Sequence, residues 1–488
     1  MPDLIANSVS NTFQVNLSDL ENRLDPHFYK PEYAELIDKL NNSPNSKLGD
    51  VVKFSSETWN QKDHFEGTFP YIEISEIDLS TGAIKYIRQV PISEAPSRAK
   101  KIVRSGDIIV STTRPSRGAI SFITDENDFS IASTGFSVLR GIKPDAEVSL
   151  EYLFWILRQK FILRQMEQRS SGGNYPAITE DELKKILIPT PTENEQEEIV
   201  ELFKTALANR QTRIQESENL LAEIDSYILN ELGIILPEKD TSIEARMFQT
   251  TFQELSGRRF DPKLFDTHSK NLFAAVENAQ YPKEPLKNLI SHSAAGDWGI
   301  DEEAEVKEDQ YDTCLVIRAT EFDNLYNLKL ENDRVRYRKI KKDKLKQLDI
   351  QPYDLLIEKS GGSPDQPVGR ISLLTEDLFE NNTLCYSNFI HKIRVDTSRV
   401  DPSYLFCFLK TIHNIKITEI MQSQTNGIRN LIMGEYFNQS IVLPKLDKQI
   451  EIGKEANRRR FEAQRLSLEA NKVLEDARAE IEQMILSN

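Results

Sequence analysis

Two long stretches of the chain place apolar or small residues at alternating intervals of four and three residues, with charged residues between them. They are residues 195–232 and 449–485, and the only proline or glycine in either is Gly453. A sustained 3.5-residue repeat keeps one face of a helix towards a partner helix, as in a left-handed coiled coil. Each position of the second stretch is the matching position of the first plus 253. The pattern therefore predicts two long helices that pack against each other, and the shared phase disfavours two unrelated surface helices. The predicted contact face consists of Ile199, Phe203, Ala206, Leu220, Ile224, Ile452, Ala456, Ala463, Leu466, Val473 and Ala477.

Short β-rich runs and a shorter helix precede each long helix. Apolar runs bounded by turn residues are typical of strands. In the first half the strand-like runs are residues 71–77, 107–111, 120–124 and 136–140, and the helical ones are 31–41 and 150–168. In the second half the strand-like runs are residues 314–319, 354–358, 370–374 and 389–395, and the helical ones are 263–278 and 404–422. Both halves therefore have one order of elements, and residues 233–240 are the predicted linker.

The two halves also share individual residues in the same order. The offset between matching positions drifts from 235 near the start to 253 in the long helices, so insertions belong to the second copy's variable part. Collinear matches over nearly the whole chain indicate a tandem duplication. The matches include Arg23-Leu24-Asp25-Pro26 with Arg259-Phe260-Asp261-Pro262, Trp59 with Trp298, Tyr152 with Tyr404, Pro191 with Pro444 and Gln196 with Gln449.

The composition narrows the class of protein. A chain of 488 residues is too long for one core, and 39% hydrophobic with 28% charged residues is typical of a soluble globular protein. The sequence has no run of eighteen apolar residues and no signal-peptide pattern, and Cys314, Cys385 and Cys407 lack pairing or metal spacing. We therefore expect a reduced cytoplasmic protein without a bound metal. Because the net charge is −16, any nucleic-acid contact requires segregated basic residues or positive partner subunits.

The order of these features resembles the specificity (S) subunit of Type I restriction-modification systems. The two Arg-x-Asp-Pro sequences, the strand at 106–110 and the segments leading into Gln196 and Gln449 carry the resemblance. It implies an α+β fold with two tandem α/β target-recognition domains, each followed by a long helix. The two helices would pair as an antiparallel coiled coil with pseudo-twofold symmetry. The implied boundaries are residues 1–192 and 236–446 for the domains and 193–235 and 447–488 for the spacer helices.

The resemblance also implies a function. Each domain of such a subunit reads one part of a split DNA sequence, two methyltransferase (M) subunits dock on the helices, and restriction (R) subunits join the complex. The subunit itself is non-catalytic and needs no cofactor. This sequence departs from the family's pattern in its acidity and at Tyr353-Asp354, which stands where the first half has Gly106-Asp107. The turn before the second of these strands is therefore left open.

Basic residues are concentrated just before the two matched strands. In the second half eight of the residues 334–346 are basic and only Asp343 is acidic. Such a density suits DNA phosphates, which Lys and Arg bind by charge. The alternative interpretation is a charged, solvated element. The predicted phosphate contacts are Arg334, Arg336, Arg338, Lys339, Lys341 and Lys342, with Arg98, Lys100, Lys101 and Arg104 as their counterparts in the first half.

Two loops rich in Gly, Ser and Pro are the predicted sites of base recognition. They span residues 112–117 and 359–366, directly after the matched strands. Loops on a rigid sheet often carry binding residues. Arg114 and Arg117 suit the O6 and N7 atoms of guanine, and Gln366 suits adenine. Ordinary turns are an equally open interpretation, and Trp59 and Trp298 are assigned to packing rather than to base stacking.

Motifs for chemistry are missing from the sequence. It has no Asp/Asn-Pro-Pro-aromatic sequence for amino methylation, no Gly-rich loop for S-adenosylmethionine and no Gly-x-x-x-x-Gly-Lys-Ser/Thr phosphate loop. We therefore interpret the chain as a DNA-recognising adapter rather than an enzyme. Two alternatives stay open: a nuclease or modification enzyme with a degenerate site, and a coiled-coil adapter that binds only proteins.

Overall fold

The computed structural model describes residues 13–15, 20–21, 23–60, 65–238, 240, 242–256, 259–323, 328–330, 336–362, 367–380, 382–425 and 428–486. Two of the predicted DNA contacts, Arg334 and Gln366, lie outside these residues. The chain folds into two compact units. Unit 1 consists of Met1–Thr212 and Glu469–Asn488, and unit 2 of Arg213–Leu468. Each unit therefore contains part of both long helices.

The described residues of unit 1 form two four-stranded sheets flanked by short helices. The strand orders are β2-β9-β6-β7 and β4-β3-β8-β5, and β1 pairs with β10. The elements are α1 (Pro31–Asn41), β1 (Asn45–Lys47), α2 (Leu48–Val51), β2 (Val52–Phe54), β3 (Thr68–Ile72), β4 (Arg88–Pro91), β5 (Ala99–Ile102), β6 (Asp107–Ser111), β7 (Ile120–Phe122), β8 (Ile131–Ser133), β9 (Phe136–Ile142), α3 (Leu150–Leu157), α4 (Lys160–Gln168), α5 (Glu180–Leu183), β10 (Leu187–Pro189) and the long helix α6 (Glu193–Leu232).

The strand β6 is buried on both faces. Successive side chains of a strand point to opposite faces, and here Ile108 and Val110 pack with α3 and α4 whereas Ile109 packs with residues of β3 and β9. A strand covered on both sides has a continuous apolar sequence. This strand was predicted at residues 107–111, and the structure confirms it with the same bounds.

Unit 2 repeats this plan within its described residues. The four-stranded sheets have the orders β12-β20-β16-β18 and β13-β15-β14-β19, β17-β22-β21 is a three-stranded sheet, and β11 pairs with β23. The elements are α7 (Ile243–Arg246), α8 (Phe252–Leu255), α9 (Thr267–Glu277), β11 (Lys283–Pro285), β12 (Ile290–Ala295), β13 (Ile300–Asp301), β14 (Tyr311–Ile317), β15 (Tyr337–Lys341), α10 (Lys342–Leu348), β16 (Leu355–Glu358), β17 (Ser360–Gly361), β18 (Ile371–Leu373), β19 (Leu384–Tyr386), β20 (Ile390–Val395), α11 (Pro402–Asn414), α12 (Ile417–Ile420), β21 (Gln422–Thr425), β22 (Ile428–Leu431), α13 (Met433–Asn438), β23 (Ser440–Val442) and the long helix α14 (Leu446–Leu486).

The strand β16 takes the place of β6. Leu355 and Ile357 pack with α11, and Leu356 packs with β14 and β19. The two central strands therefore divide their side chains between two hydrophobic clusters in the same way.

The predicted helices 150–168 and 404–422 are each broken in two. Between α3 and α4 the backbone of Gln159 is extended (φ −74°, ψ 147°), and between α11 and α12 Lys416 is left-handed (φ 70°). Neither break contains Gly or Pro, so the sequence gives no warning of it. The predictions of one continuous helix are wrong, although the helical character of the flanking residues is confirmed.

The two basic stretches were predicted to be counterparts, and the topology contradicts this. β5 pairs with β8 at one edge of its sheet, whereas β15 pairs with β14 and β13. By its pairing β15 corresponds to β4, which pairs with β3. In the sequence, unit 2 has the helix α10 before β16, whereas unit 1 has the strand β5 before β6. The two basic stretches therefore precede matched strands in the sequence but occupy different places in the fold.

The long helices run antiparallel, as predicted. In unit 2 the Ser217 hydroxyl donates to the Ala463 carbonyl (2.7 Å), and further along α6 the Glu231 carboxylate lies 2.7 Å from the Lys448 ammonium. Positions on α14 thus fall as positions on α6 rise. In unit 1 the first turns of α6 share a hydrophobic cluster with the last turns of α14, through Phe203 and Ile481.

The predicted contact face is buried at nine of its eleven positions, whereas Leu220 and Val473 are only half-buried. Towards the end of each helix the buried residue lies one position later than the 3.5-residue repeat expects. Ile228 is buried instead of Tyr227, and Leu474 is buried instead of Val473. An undistorted helix has 3.6 residues per turn and drifts by about 20° per heptad from a strict 3.5-residue repeat. The strict repeat is therefore wrong in these parts. The buried positions of α14 that recur every eleven residues are Ile452, Ala463, Leu474 and Ile485.

Candidate nucleic-acid interface

A buried aspartate anchors the start of the central strand in each unit. In unit 1 the Asp107 carboxylate accepts hydrogen bonds from Arg140 Nε (3.0 Å) and Nη2 (2.8 Å). In unit 2 the Asp354 carboxylate accepts from Arg394 Nε (2.7 Å) and Nη2 (2.9 Å). These hydrogen bonds raise the pKa of both arginines. The same bidentate pair, which is a strong and geometrically specific contact, is therefore built twice.

Tyr353 repeats the turn that Gly106 makes, although the sequence left that turn open. Gly106 has φ +84° and its N–H donates to the Ile123 carbonyl (2.9 Å). Tyr353 has φ +68° and donates to the Leu374 carbonyl (2.7 Å). A left-handed backbone costs an L residue with a side chain roughly 1–2 kcal/mol. The side chain of Tyr353 is exposed, so the strain is confined to the backbone and the turn persists.

The charges around the two aspartates differ. In unit 2 the ammonium of Lys392 lies 3.0 Å from Asp354 with both side chains fully buried, and burial lowers the pKa of Lys392. In unit 1 the additional group is an acid, Glu57, which lies 2.5 Å from Arg140. Arg104 and Arg140 lower the pKa of Glu57. Both networks balance buried charge. Asp349 gives Arg394 a second carboxylate, as Glu57 does for Arg140, so the difference between them is the ammonium of Lys392.

Directly after β6 the chain forms a loop, residues 111–118, that contains both arginines predicted to read bases. We call it the unit 1 loop. Arg114 has a left-handed backbone (φ 48°), and a 3-10 turn at Pro115–Arg117 and a left-handed Gly118 (φ 74°) follow it. The Arg114 side chain is half-buried. The Arg117 side chain is exposed and, among the described residues, makes no hydrogen bond or ion pair.

A second segment, residues 171–177, holds this loop in place, and we call it the unit 1 hairpin. Ala177 forms isolated β-bridges both to Ser171 and to Thr113. The Arg114 N–H donates to the Pro176 carbonyl (2.7 Å). The Ile178 N–H also donates to the Thr112 carbonyl (2.9 Å), so the loop and the hairpin are tied together by backbone hydrogen bonds on both sides of Thr113.

The side chain of Arg114 is fixed by the same hairpin. Its Nη2 donates to the Asn174 carbonyl (2.9 Å), and its guanidinium carbon lies 4.2 Å from the centroid of the Tyr175 ring. Tyr175 is 72% exposed. Sequence reasoning missed Asn174 and Tyr175. The available signal was an isolated aromatic residue inside the turn-rich run 170–176, where a buried core is not expected.

Unit 2 carries the same frame with different residues. β17 pairs with β22, as the unit 1 loop pairs with its hairpin, and β21 completes the small sheet. In this register Gly361 (φ +130°) takes the place of Arg114, and Ile428 takes the place of Tyr175. Ile428 is 50% exposed. We call residues 422–431 the unit 2 hairpin.

The two Arg-x-Asp-Pro sequences anchor the beginning of each hairpin. Arg23 Nη2 donates to the Ser170 carbonyl (3.4 Å). Arg259 donates from Nη1 to the Gln422 carbonyl (2.7 Å) and from Nη2 to the Ile420 carbonyl (2.9 Å). These carbonyls lie where α4 and α12 end. The last carbonyl groups of a helix have no partner within the helix, and here guanidinium groups donate to them. The motif is therefore explained by the anchoring of the hairpin.

The basic residues predicted on β5 and after it are divided between paired and exposed side chains. Lys101 Nζ lies 3.3 Å from a Glu180 carboxylate oxygen. Arg104 donates to Glu57 (2.8 Å) and lies over the Phe129 ring. These two cations have internal partners, which reduces what they offer to a phosphate. The exposed side chains are those of Arg98 and Lys100.

On β15 the arginine and lysine side chains also turn towards their own unit. Arg338 donates to the Trp298 carbonyl (2.7 Å) and to Asp301 (2.6 Å), and its guanidinium lies 4.5 Å from the Trp298 ring. Lys339 donates to the Ala304 carbonyl (2.9 Å). Their role as phosphate contacts stays a prediction. The remaining members are Lys342, which lies 3.7 Å from Asp312, and the exposed Arg336 and Lys341.

Other chemistry is sparse in the described part of the chain. No group of three or more His, Cys, Asp and Glu residues there is placed to hold a metal ion. The three cysteines are buried and unpaired, and burial raises the pKa of the Cys314 and Cys407 thiols to about 12 and of Cys385 to about 11. Of the helices that the structure describes, none combines the length and the apolar character needed to cross a membrane.

These features define a duplicated α+β protein that presents one loop and one hairpin per unit on a buried Asp–Arg pair, with two antiparallel helices. Residues 42–225 match a family model described as the Type I restriction modification DNA specificity domain. These residues are therefore similar to the specificity domain of Type I restriction-modification systems, which confirms the predicted resemblance.

Two relatives are similar to parts of the chain. The Type I restriction enzyme HindI specificity subunit of Haemophilus influenzae is 31% identical over 115 residues, which cover 23% of this chain and 24% of that one. The Type I restriction enzyme MjaIX specificity subunit of Methanocaldococcus jannaschii is 23% identical over 184 residues, which cover 36% and 40%. The chain thus spans less than half the length of either relative in these matches.

Solved structures also resemble the chain. The HsdS subunit from Thermoanaerobacter tengcongensis is 21% identical with a TM-score of 0.35, and the match covers 91% of this chain and 95% of that one. The Type-I restriction-modification system S subunit from M. genitalium is 14% identical with a TM-score of 0.40, covering 91% and 94%.

Proposed function

We propose that this protein is the DNA-recognition subunit of a Type I restriction-modification complex. Each unit would read one part of a bipartite target through its loop and hairpin. The observation that carries the proposal is a constant frame that holds different residues: Arg114 and Tyr175 in unit 1, and Gly361 and Ile428 in unit 2. Such a frame suits two different base sequences, because base edges are distinguished by donors, acceptors and methyl groups.

The long helices are the proposed docking surface for two M subunits, which R subunits then join. Phe461 and Leu468 support this role, because they are exposed large apolar residues on α14, seven positions apart and hence on one face. The chain itself is proposed to be non-catalytic, to bind no cofactor and to act in the cytoplasm. Methylation of DNA by the isolated chain would contradict the non-catalytic role.

The charge distribution favours recognition within a complex rather than by the chain alone. The net charge is −16, and several predicted phosphate contacts, such as Lys101 and Arg338, already have acidic partners. Phosphate contacts supply most of the non-specific affinity of DNA-binding proteins. We therefore propose that the M subunits contribute much of the positive charge that holds the duplex.

Co-expression with a methyltransferase encoded beside this chain tests the proposal. We expect a stable complex with one copy of this chain and two methyltransferase subunits, measured by native mass spectrometry. Methylation mapped by long-read sequencing of the host DNA should reveal a split target with an unread gap. A one-to-one complex, or methylation without a split target, would contradict the proposal.

A domain exchange tests whether the units read separately. Residues 42–178 contain the unit 1 loop and hairpin, and would be replaced by the equivalent residues of a relative. We expect one half of the mapped target to change while the other half is kept, because each unit has its own core and its own frame. A change in both halves would mean that the two frames read jointly.

The length of the helices is the proposed ruler for the unread gap. Ser217 and Ala463 face each other, so eleven residues would be inserted at both points. Each insertion adds about 16 Å of helix, which corresponds to at most about five base pairs. Three full turns keep the buried face aligned, whereas four residues rotate it by about 40° and should destabilise the chain. An unchanged gap in the eleven-residue variant would show that the helices do not set it.

A further inference from the structure

The geometry points to Tyr175 as a positioning residue for base recognition: its ring holds the Arg114 guanidinium in the orientation that reads one guanine in the first half of the target. This inference rests on the proposed function. It assigns a role to a residue of the unit 1 hairpin and distinguishes Arg114 from Arg117, which the sequence alone left equivalent.

The backbone of Arg114 is fixed before any ligand arrives. It has a left-handed φ of 48°, and its N–H donates to the Pro176 carbonyl (2.7 Å). A residue with a side chain adopts this conformation only where its surroundings impose it, and such residues are concentrated at functional sites. The hairpin therefore determines the direction in which the side chain leaves the loop.

The side chain is held as firmly as the backbone. Nη2 donates to the Asn174 carbonyl (2.9 Å), and the guanidinium lies 4.2 Å from the Tyr175 ring centroid. A guanidinium has five N–H donors in one plane. Stacking on an aromatic ring uses the face of that plane and leaves its edge available. The edge is the part that donates in parallel to guanine O6 and N7.

Arg117 lacks this arrangement. Its side chain is exposed and, within the described residues, unpartnered. Binding a base would therefore require the loss of its rotamer freedom, which a pre-organised side chain has already lost. Arg114 is accordingly the base-reading residue of this loop. Unit 2 has Gly361 and Ile428 at the two matching positions, so the device is confined to the first half of the target.

The test uses the full chain in its co-purified complex and a random-sequence duplex library. Bound duplexes are sequenced for the wild type and for Arg114→Ala, Tyr175→Ala, Tyr175→Phe and the double alanine variant. We expect Arg114→Ala and Tyr175→Ala to lose preference for guanine at the same single position, by at least about five-fold for a bidentate contact. Tyr175→Phe keeps the ring and should keep the preference. The double variant should lose no more than Arg114→Ala, because both changes remove one contact.

A modified base distinguishes a positioning role of Tyr175 from a purely structural one, because a general loss of structure would not affect recognition of one guanine atom. A duplex with 7-deazaguanine at the identified position lacks the N7 acceptor. The wild type should bind it more weakly than the guanine duplex, whereas Tyr175→Ala should bind both equally. Tyr86→Ala is the matched control, since Tyr86 is another exposed tyrosine of unit 1, and it should behave as the wild type.

Three results would overturn the inference: unchanged guanine preference in Tyr175→Ala, loss of preference in Tyr175→Phe, or a loss spread equally over all positions. A wild-type complex that selects no sequence would instead contradict the proposed function. The two failures are therefore distinguishable in one experiment.

Discussion

The two units build the same turn with differently balanced charge. Asp107 is bound by Arg140, which is partly exposed and also contacts Glu57. Asp354 is bound by Arg394 and by Lys392, which is fully buried. The aspartate, its bidentate arginine and a second carboxylate on that arginine, Glu57 or Asp349, are common to both, whereas unit 2 adds the buried ammonium of Lys392. The turn itself requires an acceptor, because the Arg104 N–H donates to Asp107 (2.8 Å) and the Gln351 N–H donates to Asp354 (2.9 Å), and the neighbouring charges vary as long as buried charge is compensated.

A second pair of positions, one on α11 or directly after α3 and the other on a long helix, shows the same freedom. In unit 2 burial lowers the pKa of Lys410 to about 8, and the nearby Asp225 opposes this shift. At the matching positions unit 1 has Arg158 and Arg478, two like charges. Arg158 donates to the Ile120 carbonyl (2.8 Å), and Arg478 also donates to a backbone carbonyl. Backbone carbonyl groups thus accept hydrogen bonds from the two arginines of unit 1.

The largest expected difference between the units follows from Asp354→Ala. It leaves the fully buried Lys392 without its carboxylate, although Arg394 keeps Asp349, and we expect a loss of about 3–5 kcal/mol in the free energy of unfolding. Asp107→Ala should cost less, because Arg140 is partly exposed and keeps Glu57. Urea unfolding, with hydrogen exchange of β16 and β6 to separate the units, measures both. Equal losses would show that the buried ammonium of Lys392 does not matter.

Acid should weaken unit 2 before unit 1. Burial, with a contribution from Lys410, lowers the pKa of His413 to about 3, and burial lowers that of His391 to about 4. Because both folded-state pKa values lie below the ordinary value of 6.5, stability is complete above pH 6.5 and falls as the unfolded chain takes up protons. His413 should remove about 1.4 kcal/mol per pH unit below that value, and the more accessible His391 less.

The described histidine of unit 1, His27, is exposed. Hydrogen exchange at several pH values between 4.5 and 7, corrected for intrinsic rates, distinguishes the units. His413→Gln should flatten the dependence of unit 2. A slope that is equal in the two units would contradict the assignment.

Exchanging the residues of the positive-φ turn should give a smaller effect of opposite sign in the two units. A Cβ at Gly106 would meet nothing within 4 Å, so Gly106→Ala should cost only the backbone strain of roughly 1–2 kcal/mol. Tyr353→Gly removes that strain, but the added freedom of the unfolded chain offsets about 0.4–1 kcal/mol. We expect a small net stabilisation of unit 2. Tyr353→Phe controls for the hydrogen bond of Tyr353 to Glu376 (3.1 Å).

The smallest expected effect concerns phosphate contacts. Arg98 and Lys100 are exposed, whereas Lys339 and Lys342 already have internal partners. Replacing the first pair with Ala should reduce the slope of log K against log salt by up to about 0.9 per lost contact, and replacing the second pair should reduce it less. Affinities of the full complex between 50 and 200 mM salt give the slopes. A larger loss from Lys339 and Lys342 would reverse this order.

The elements that the sequence predicts are those with a repeated signal. The apolar runs of β6 and β16 and the two long helices needed only local periodicity, and the Arg-x-Asp-Pro sequences needed only the duplication. Pairing partners are different, because nothing in β15 specifies a neighbour, and the match to β5 was wrong. The left-handed backbone of Tyr353 could not be predicted for a similar reason. Its conformation is imposed by the hydrogen bond to Leu374 and not by the preference of a tyrosine.

The candidate site was predictable in part. Arg114 stands in a loop after an apolar strand, which is a local pattern, and it lies where the prediction placed it. Tyr175 is sixty-one positions away, and only the fold brings its ring to the guanidinium. The drift of burial from Val473 to Leu474 has a geometric origin, because a nearly straight helix does not keep a seven-residue phase.

The order of synthesis gives the C-terminal helix an unexpected importance. Leu474, Ile481 and Ile485 belong to the same hydrophobic cluster as Trp155 and Phe203, so unit 1 completes its core with nearly the last residues of the chain. They leave the ribosome about 250 residues after α6, which at about 5–20 residues per second is a delay on the order of tens of seconds. During this delay the core of unit 1 lacks the apolar side chains that α14 contributes to it. A stop codon shortly after Leu468 would consequently remove part of the core of unit 1, whereas unit 2 contains no residue after Leu468.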